Sequence, residues 1–321
     1  MRAVIAALGF GAALLAQKPD IRVEVGAVNV ACEVTDRRGA PVKNLTVADF
    51  ELRDNGRLQA IDHLWQEDDL PLTIGLVVDV SGSQSAFIQS HRDAVTQFLK
   101  QVMRPRDRAF IVTVGPEAKL LADLTSSVEE LRRRIELIDV LDTPGAQFGE
   151  SCEAVLPLAG CGGTALWNGV YASARQKMKW VQGRKALIVL SDGLDTGSMH
   201  SLGEAIEAAQ ETETVAYAIK YIDPGITPAQ AGVFGRKPNR GLERLTDETG
   251  GWTFPNPQEQ LSAIFSKIEA DLRNQYVLGF TPPPEARDGR FHKLEVRMHA
   301  DSAYFKDVTV RARAGYFAPA R

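Results

Sequence analysis

Apolar positions along the chain follow two rhythms. From Ile21 to about Leu64 they alternate: Val28, Val30, Cys32 and Val34 share one side, residues 38–41 form a turn-rich break, and Phe50 and Leu52 precede Asp54, Asn55 and Gly56. A period of two puts such residues on one buried face of β-strands, and three or four strands fit here. The tail repeats the pattern: Tyr276, Leu278 and Phe280 alternate, residues 282–284 interrupt, and Leu294, Val296, Met298, Val308 and Val310 resume it. Neither block has enough strands to bury a core alone. Residues 18–68 and 276–321 are therefore expected to be the two halves of one small β-sandwich with a shared core.

The middle, residues 69–275, alternates short apolar runs with amphipathic stretches. Residues 72–80 read LTIGLVVDV, the unbroken run of a strand buried on both faces. Further strands are predicted near residues 110–114, 119–122, 186–190, 215–219 and 252–254. Helices are predicted over 86–102, 128–138 with Thr125 and Ser126 as cap residues, 165–180, 202–210, 240–249 and 257–273. Residues 141–163 read as irregular. The predicted fold class is α/β: a doubly wound, mostly parallel sheet inserted into the β-sandwich made by the N- and C-terminal segments.

Composition narrows the functional classes. Of 321 residues, 44% are hydrophobic and 24% charged, which is globular and excludes a largely disordered chain. A formal charge of -4 lacks the basic footprint of phosphate-backbone binding, so no nucleic-acid partner is expected. Arg132, Arg133 and Arg134 read as a solvated helix face. Residues 1–17 read as an export leader: Met1 and Arg2 precede an apolar stretch, and small residues lead to a cleavage point near Ala16. No later run of about 18–20 apolar residues follows, so no membrane span is expected in the mature chain, which would be periplasmic or secreted. In such an oxidising compartment Cys152 and Cys161 are expected to form a disulfide worth about 2–3 kcal/mol. Cys32, in phase with the valines of its strand, is expected to be a buried thiol.

Open α/β sheets place their ligand sites at the carboxyl ends of strands. Three loops meet that condition here: Asp79, Ser81 and Ser83 after the first middle strand, Thr164 after Gly162 and Gly163, and Asp192 between Ser191 and Gly193. Hydroxyl and carboxylate oxygens without thiol or imidazole suit a hard divalent cation, Mg2+ first, with Mn2+ or Ca2+ possible. Taken singly, Ser81, Ser83 and Thr164 would cap helices and the two acids would shape turns. Taken together, two carboxylates ending neighbouring buried strands repel unless a cation lies between them. Asp195 reads as a loop or cap residue.

The segment DVSGS at 79–83 resembles the D-x-S-x-S signature of von Willebrand factor A domains, with GGT at 162–164 and SDG at 191–193 following in the family's order. The resemblance covers about residues 70–275. It implies that Asp79, Ser81, Ser83, Thr164 and Asp192 form a metal-ion-dependent adhesion site. The flanking segments, including YVLGF at 276–280, are similar to a bacterial group of exported proteins related to factor A. The function implied is a non-enzymatic, metal-dependent protein-binding module, in which a partner's Asp or Glu carboxylate completes the coordination of the ion. The alternative is a structural subunit of an envelope or secretion assembly whose metal only stabilises the fold. A hydrolase using Ser81 or Ser83 with His200 and Asp192 lacks the G-x-S-x-G elbow.

Overall fold

The computed structural model describes residues 27–66, 70–139, 146–147, 163–221, 240–255, 261–304 and 306–318. The expected leader and both Cys152 and Cys161 lie outside the described residues. The N-terminal segment supplies four strands: β1 (Val28–Asp36), β2 (Phe50–Asp54), β3 (Arg57–Gln59) and β4 (His63–Trp65). The middle supplies β5 (Leu72–Asp79), α1 (Ile88–Val102), β6 (Arg108–Val114), β7 (Ala118–Thr125), α2 (Val128–Ile135) and the two-residue β8 (Ala146–Gln147). It continues with α3 (Leu166–Ala172), β9 (Arg184–Ser191), α4 (Leu202–Glu211), β10 (Thr214–Lys220), α5 (Gly241–Thr249), β11 (Thr253–Pro255) and α6 (Leu261–Asn274). The tail adds β12 (Tyr276–Phe280), β13 (Phe291–Met298), β14 (Val308–Ala312) and β15 (Gly315–Phe317).

Two antiparallel sheets, ordered β14-β1-β12-β4 and β15-β13-β2-β3, each mix strands from both ends of the chain. Val30 faces Leu278 across one ladder and Leu52 faces Val296 across the other. The alternating apolar sets of the two ends meet in a single core, with Val30, Cys32, Val34, Leu52, Leu278, Phe280 and Leu294 all buried. Cys32 is a free, buried thiol whose pKa burial pushes up.

The middle forms a seven-stranded sheet ordered β11-β10-β9-β5-β6-β7-β8. Its strands from β11 to β6 are parallel, while at one edge β7 runs antiparallel to β6, and β8 antiparallel to β7. The sheet is apolar on both faces because each is covered. Leu76, Val78, Ile111 and Ile188 pack under Phe98, Leu99, Leu131 and Phe265 of α1, α2 and α6. Val77, Val112, Leu187 and Val189 pack under Leu166, Val170, Ile206 and Leu245 of α3, α4 and α5. No described helix is long and apolar enough to cross a membrane.

Several local expectations are corrected. The helix expected from residue 86 begins at Ile88, after a 3-10 turn over Gly82–Phe87. The cap of α2 is Ser127, whose Oγ accepts from Glu130 N at 3.1 Å; the Thr125 hydroxyl bonds the Glu130 carboxylate instead. The helix expected over 165–180 is α-helical only to Ala172, then widens into a π turn (Ser173–Lys177) and tightens into a 3-10 turn (Met178–Trp180). Over so few turns the apolar spacing cannot separate these geometries. β8 falls within the stretch expected to be irregular, since two residues carry no periodicity.

Candidate metal centre

The strand order places the site. β5 pairs with β9 on one side and β6 on the other, so the winding changes direction between β5 and β9, and their carboxyl ends open a crevice there. Asp79 is the last residue of β5 and fully buried; Ser191 is the last of β9, also fully buried, and Asp192 follows it.

Hydrogen bonds join four of the five expected residues in one run. Asp79 Oδ1 accepts from Ser81 N at 2.9 Å, the Ser81 and Ser83 hydroxyls lie 3.2 Å apart, and Ser83 Oγ donates to Asp192 Oδ2 at 2.9 Å. Asp192 Oδ1 accepts from Leu194 N at 2.9 Å. Thr164 is held differently. Its amide donates to Thr196 Oγ1 at 3.1 Å, and its carbonyl accepts from the amides of Thr196 and Gly197, each at 3.1 Å. The main chain thus fastens Thr164 to the loop that follows Asp192, and no hydrogen bond joins its hydroxyl to the other four among the described residues.

Glycine matters at two of the three loops. Gly163 has φ +118° and Gly193 φ +81°, conformations that side chains rarely adopt. Gly82 does not need this freedom: its φ is ordinary, and a Cβ there would meet nothing within 4 Å.

The electrostatics are those of a site short of positive charge. Burial pushes the Asp79 pKa up to about 6, hydrogen bonds from Ser191 and Ser81 pull it back, and the negative charge of Asp192 pushes it up again. Two neighbouring carboxylates, one wholly desolvated, with hydroxyls between them, form an all-oxygen donor set that fits a hard divalent cation. Such an ion would remove the repulsion that the two acids now share.

Several contributors are absent from the expected set. Ser191 Oγ donates to Asp79 Oδ2 at 2.6 Å and accepts from Gly193 N at 3.0 Å, so it orients the buried carboxylate. Its place beside Asp192 was the available sequence signal. Thr196 positions Thr164, and nothing in its spacing marks it. Asp195 serves the capping role expected of it, accepting from Trp167 N at 3.3 Å and bonding Ser198, which also accepts from Asn168 N at 3.0 Å. Beneath the loops, His91 is fully buried against Tyr221, ring centroids 4.3 Å apart. Burial holds its pKa down at about 4, opposed by the Asp79 main chain, so it is a neutral packing residue at pH 7. His200 stacks on Tyr171 at 3.6 Å with Nδ1 3.8 Å from Glu204. No hydrogen bond ties it to Ser81 or Ser83 among the described residues, so no nucleophile–base pair forms there.

Sheet order, two-sided helical cover and the loop set at the switch point define a von Willebrand factor A-like domain carried on a β-sandwich. Among solved structures, the chain is similar to the conserved hypothetical protein BatB from Bacteroides thetaiotaomicron, at 14% identity and TM-score 0.44, over 62% of this chain and 98% of that one. It is similar to the vWF domain of the type V pili tip protein Mfa5 from Porphyromonas gingivalis, at 14% identity and TM-score 0.44, over 63% and 96%. A third is proximal thread matrix protein 1 from the mussel byssus with a zinc-occupied MIDAS motif, at 16% identity and TM-score 0.46; the match covers 68% of this chain and 49% of that one. No family model and no curated protein matches the chain.

Proposed function

We propose that this protein is a metal-ion-dependent, adhesion-type binding module, exported to the periplasm or the medium, with Asp79, Ser81, Ser83, Thr164 and Asp192 as its cation-binding residues. The observation that carries the reading is the hydrogen-bonded run from Asp79 through Ser81 and Ser83 to Asp192, at the junction of β5 and β9. Mg2+ is the proposed ion, because compact oxygen sites with few carboxylates suit it, and Mn2+ or Ca2+ are the substitutes to compare. Two carboxylates and three neutral hydroxyls leave coordination and charge unfilled, so an Asp or Glu of a partner protein completes the ion's shell. The enzymatic reading has no support from the position of His200.

The test combines calorimetry with pull-down from envelope extract, in Mg2+ and in EDTA. Asp79→Ala and Thr164→Ala are expected to lose Mg2+ uptake and partner capture while remaining folded, since loss of one loop contact costs about 1–2 kcal/mol. Lys100→Gln, an exposed position on α1, serves as the silent control. Ser198→Ala does not, because Ser198 anchors Asp195 and Asn168. If the Asp79 variant is folded, takes up no Mg2+ and still captures its partner undiminished, the metal-bridged reading fails and the purely structural role replaces it.

A further inference from the structure

We propose that His292 is a proton-operated clasp on the strap that joins the two sheets of the sandwich, holding Asp288 while its ring carries two protons and releasing it when the ring is neutral. The strap, residues 281–290, leaves β12 in one sheet and enters β13 in the other. Pro282 is buried at its start, whereas residues 283–289 are half-buried or exposed. Two of its hydrogen bonds stay within it: Arg287 Nε donates to the Pro282 carbonyl at 3.2 Å and Ala286 N to the Pro283 carbonyl at 2.9 Å. Asp288 is an ionic tie to the sheet, with Oδ1 3.3 Å from His292 Nε2.

His292, itself buried, faces a carboxylate with each ring nitrogen. Nδ1 lies 2.8 Å from Oδ1 of the buried Asp54, whose Oδ2 accepts from the Tyr316 hydroxyl at 3.0 Å. A neutral imidazole has one N-H, so only the imidazolium donates to both carboxylates. When one proton leaves, the remaining N-H stays with Asp54, because a buried carboxylate deprived of its donor costs more than an exposed one that turns to water. The Nε2 lone pair then faces Asp288 and repels it. The neighbouring charges do not take over this role. The Arg290 amide first, then His292, hold Asp288 below the usual carboxylate range, so it stays ionised. Burial first, then Asp54, push the Tyr316 phenol up, so it stays protonated. Arg290 beside Asp288 and Arg313 beside Tyr316, the other charged groups facing this cluster among the described residues, keep their protons throughout. Imidazole is the side chain that changes charge between about pH 5 and 8.

Hydrogen exchange of the full chain, corrected for the intrinsic effect of pH, tests the clasp at about pH 5 and pH 8. EDTA is present, so that metal binding does not enter. Protection of the strap's amides is expected to fall at least tenfold from the lower pH to the higher, with β1 and β12 unchanged. Asp288→Asn, at an exposed position, is expected to show the lower protection at both pH values, and Glu285→Gln, exposed on the same strap, to keep the parent's response. Ring resonances of His292 are followed in parallel and should titrate together with the Asp288 amide. Equal protection of the parent strap at both pH values, a full pH response in Asp288→Asn, or a His292 ring that keeps one charge state from pH 5 to 8 overturns the proposal.

Discussion

Ser191 stands between a buried carboxylate that it bonds at 2.6 Å and the Gly193 amide that bonds it at 3.0 Å. Removing its hydroxyl leaves the Oδ2 of the fully buried Asp79 without that donor, a loss of about 1–3 kcal/mol. The lost bond favoured the charged form, so Ser191→Ala also raises the Asp79 pKa further above its burial-shifted value of about 6. Mg2+ uptake by Ser191→Ala, measured calorimetrically at pH 7, is expected to weaken about tenfold, equivalent to about 1.4 kcal/mol. An unchanged affinity would show that Ser191 only fills space. At this scale the sequence was informative where residue type carried the chemistry: two acids and three hydroxyls at strand ends were legible. The orienting partners were not, because a serine that holds a carboxylate and a serine that caps a helix are the same letter. His91 was illegible for a similar reason, since its helical spacing matches that of the apolar residues around it.

Among the elements, the loop before α3 shows how a main-chain conformation places a side chain. A Cβ on Gly163 would stand 1.9 Å from Thr196 Oγ1, at a φ of +118° that L residues avoid. Gly163→Ala must therefore push Thr196 away, and with it the three hydrogen bonds that hold Thr164. The expected outcome is a loss of about 1–3 kcal/mol together with weakened metal uptake. Gly82→Ala, where a Cβ meets nothing, leaves melting temperature and uptake close to those of the parent. The inner strands of the central sheet, β5, β6, β9 and β10, were legible because burial on both faces makes them nearly continuous apolar runs, as in residues 72–80. Cap identities and turn geometries were not, because capping is decided by backbone angles: Ser127, extended at φ −82° and ψ 102°, caps α2 where Thr125 and Ser126 were expected to.

Across the whole molecule, the sandwich and the central domain are joined by buried charge. Glu33 on β1 and Asp271 on α6 are both buried, and Trp252 Nε1 donates to Glu33 Oε2 at 2.9 Å. Lys267 Nζ and Arg311 Cζ lie 3.9 and 4.1 Å from the centre of the Trp252 ring, and Arg311 also pairs with Asp247 of α5 at 2.6 Å. Burial first, then a hydrogen bond with Glu33 and its repulsion, raise the Asp271 pKa, so the native junction keeps a proton that the unfolded chain releases. Its contribution to stability is complete below the ordinary carboxylate range and declines as pH rises from there toward the raised native value. Asp271→Asn removes that decline and supplies an amide donor. Its melting temperature is expected to exceed the parent's by about 2–4 °C at pH 8, with the difference shrinking toward pH 4. A constant offset at both pH values would assign Asp271 a packing role only. The pairing of the two β blocks was legible from their incomplete cores, whereas this junction was not, because its acids sit on exposed-looking strand and helix positions. The middle segment leaves and rejoins the sandwich through adjacent strands, with Trp65 beside Val277, and is braced a second time where Ala314 N bonds the Glu248 carbonyl at 3.1 Å. In mechanical terms, two neighbouring attachment points and an offset brace remove the freedom to swivel. Under the proposed function, a pull on a partner held at the Asp79 and Asp192 loops would be carried along the parallel strands into the sandwich, as if through the shaft of a tool into its handle.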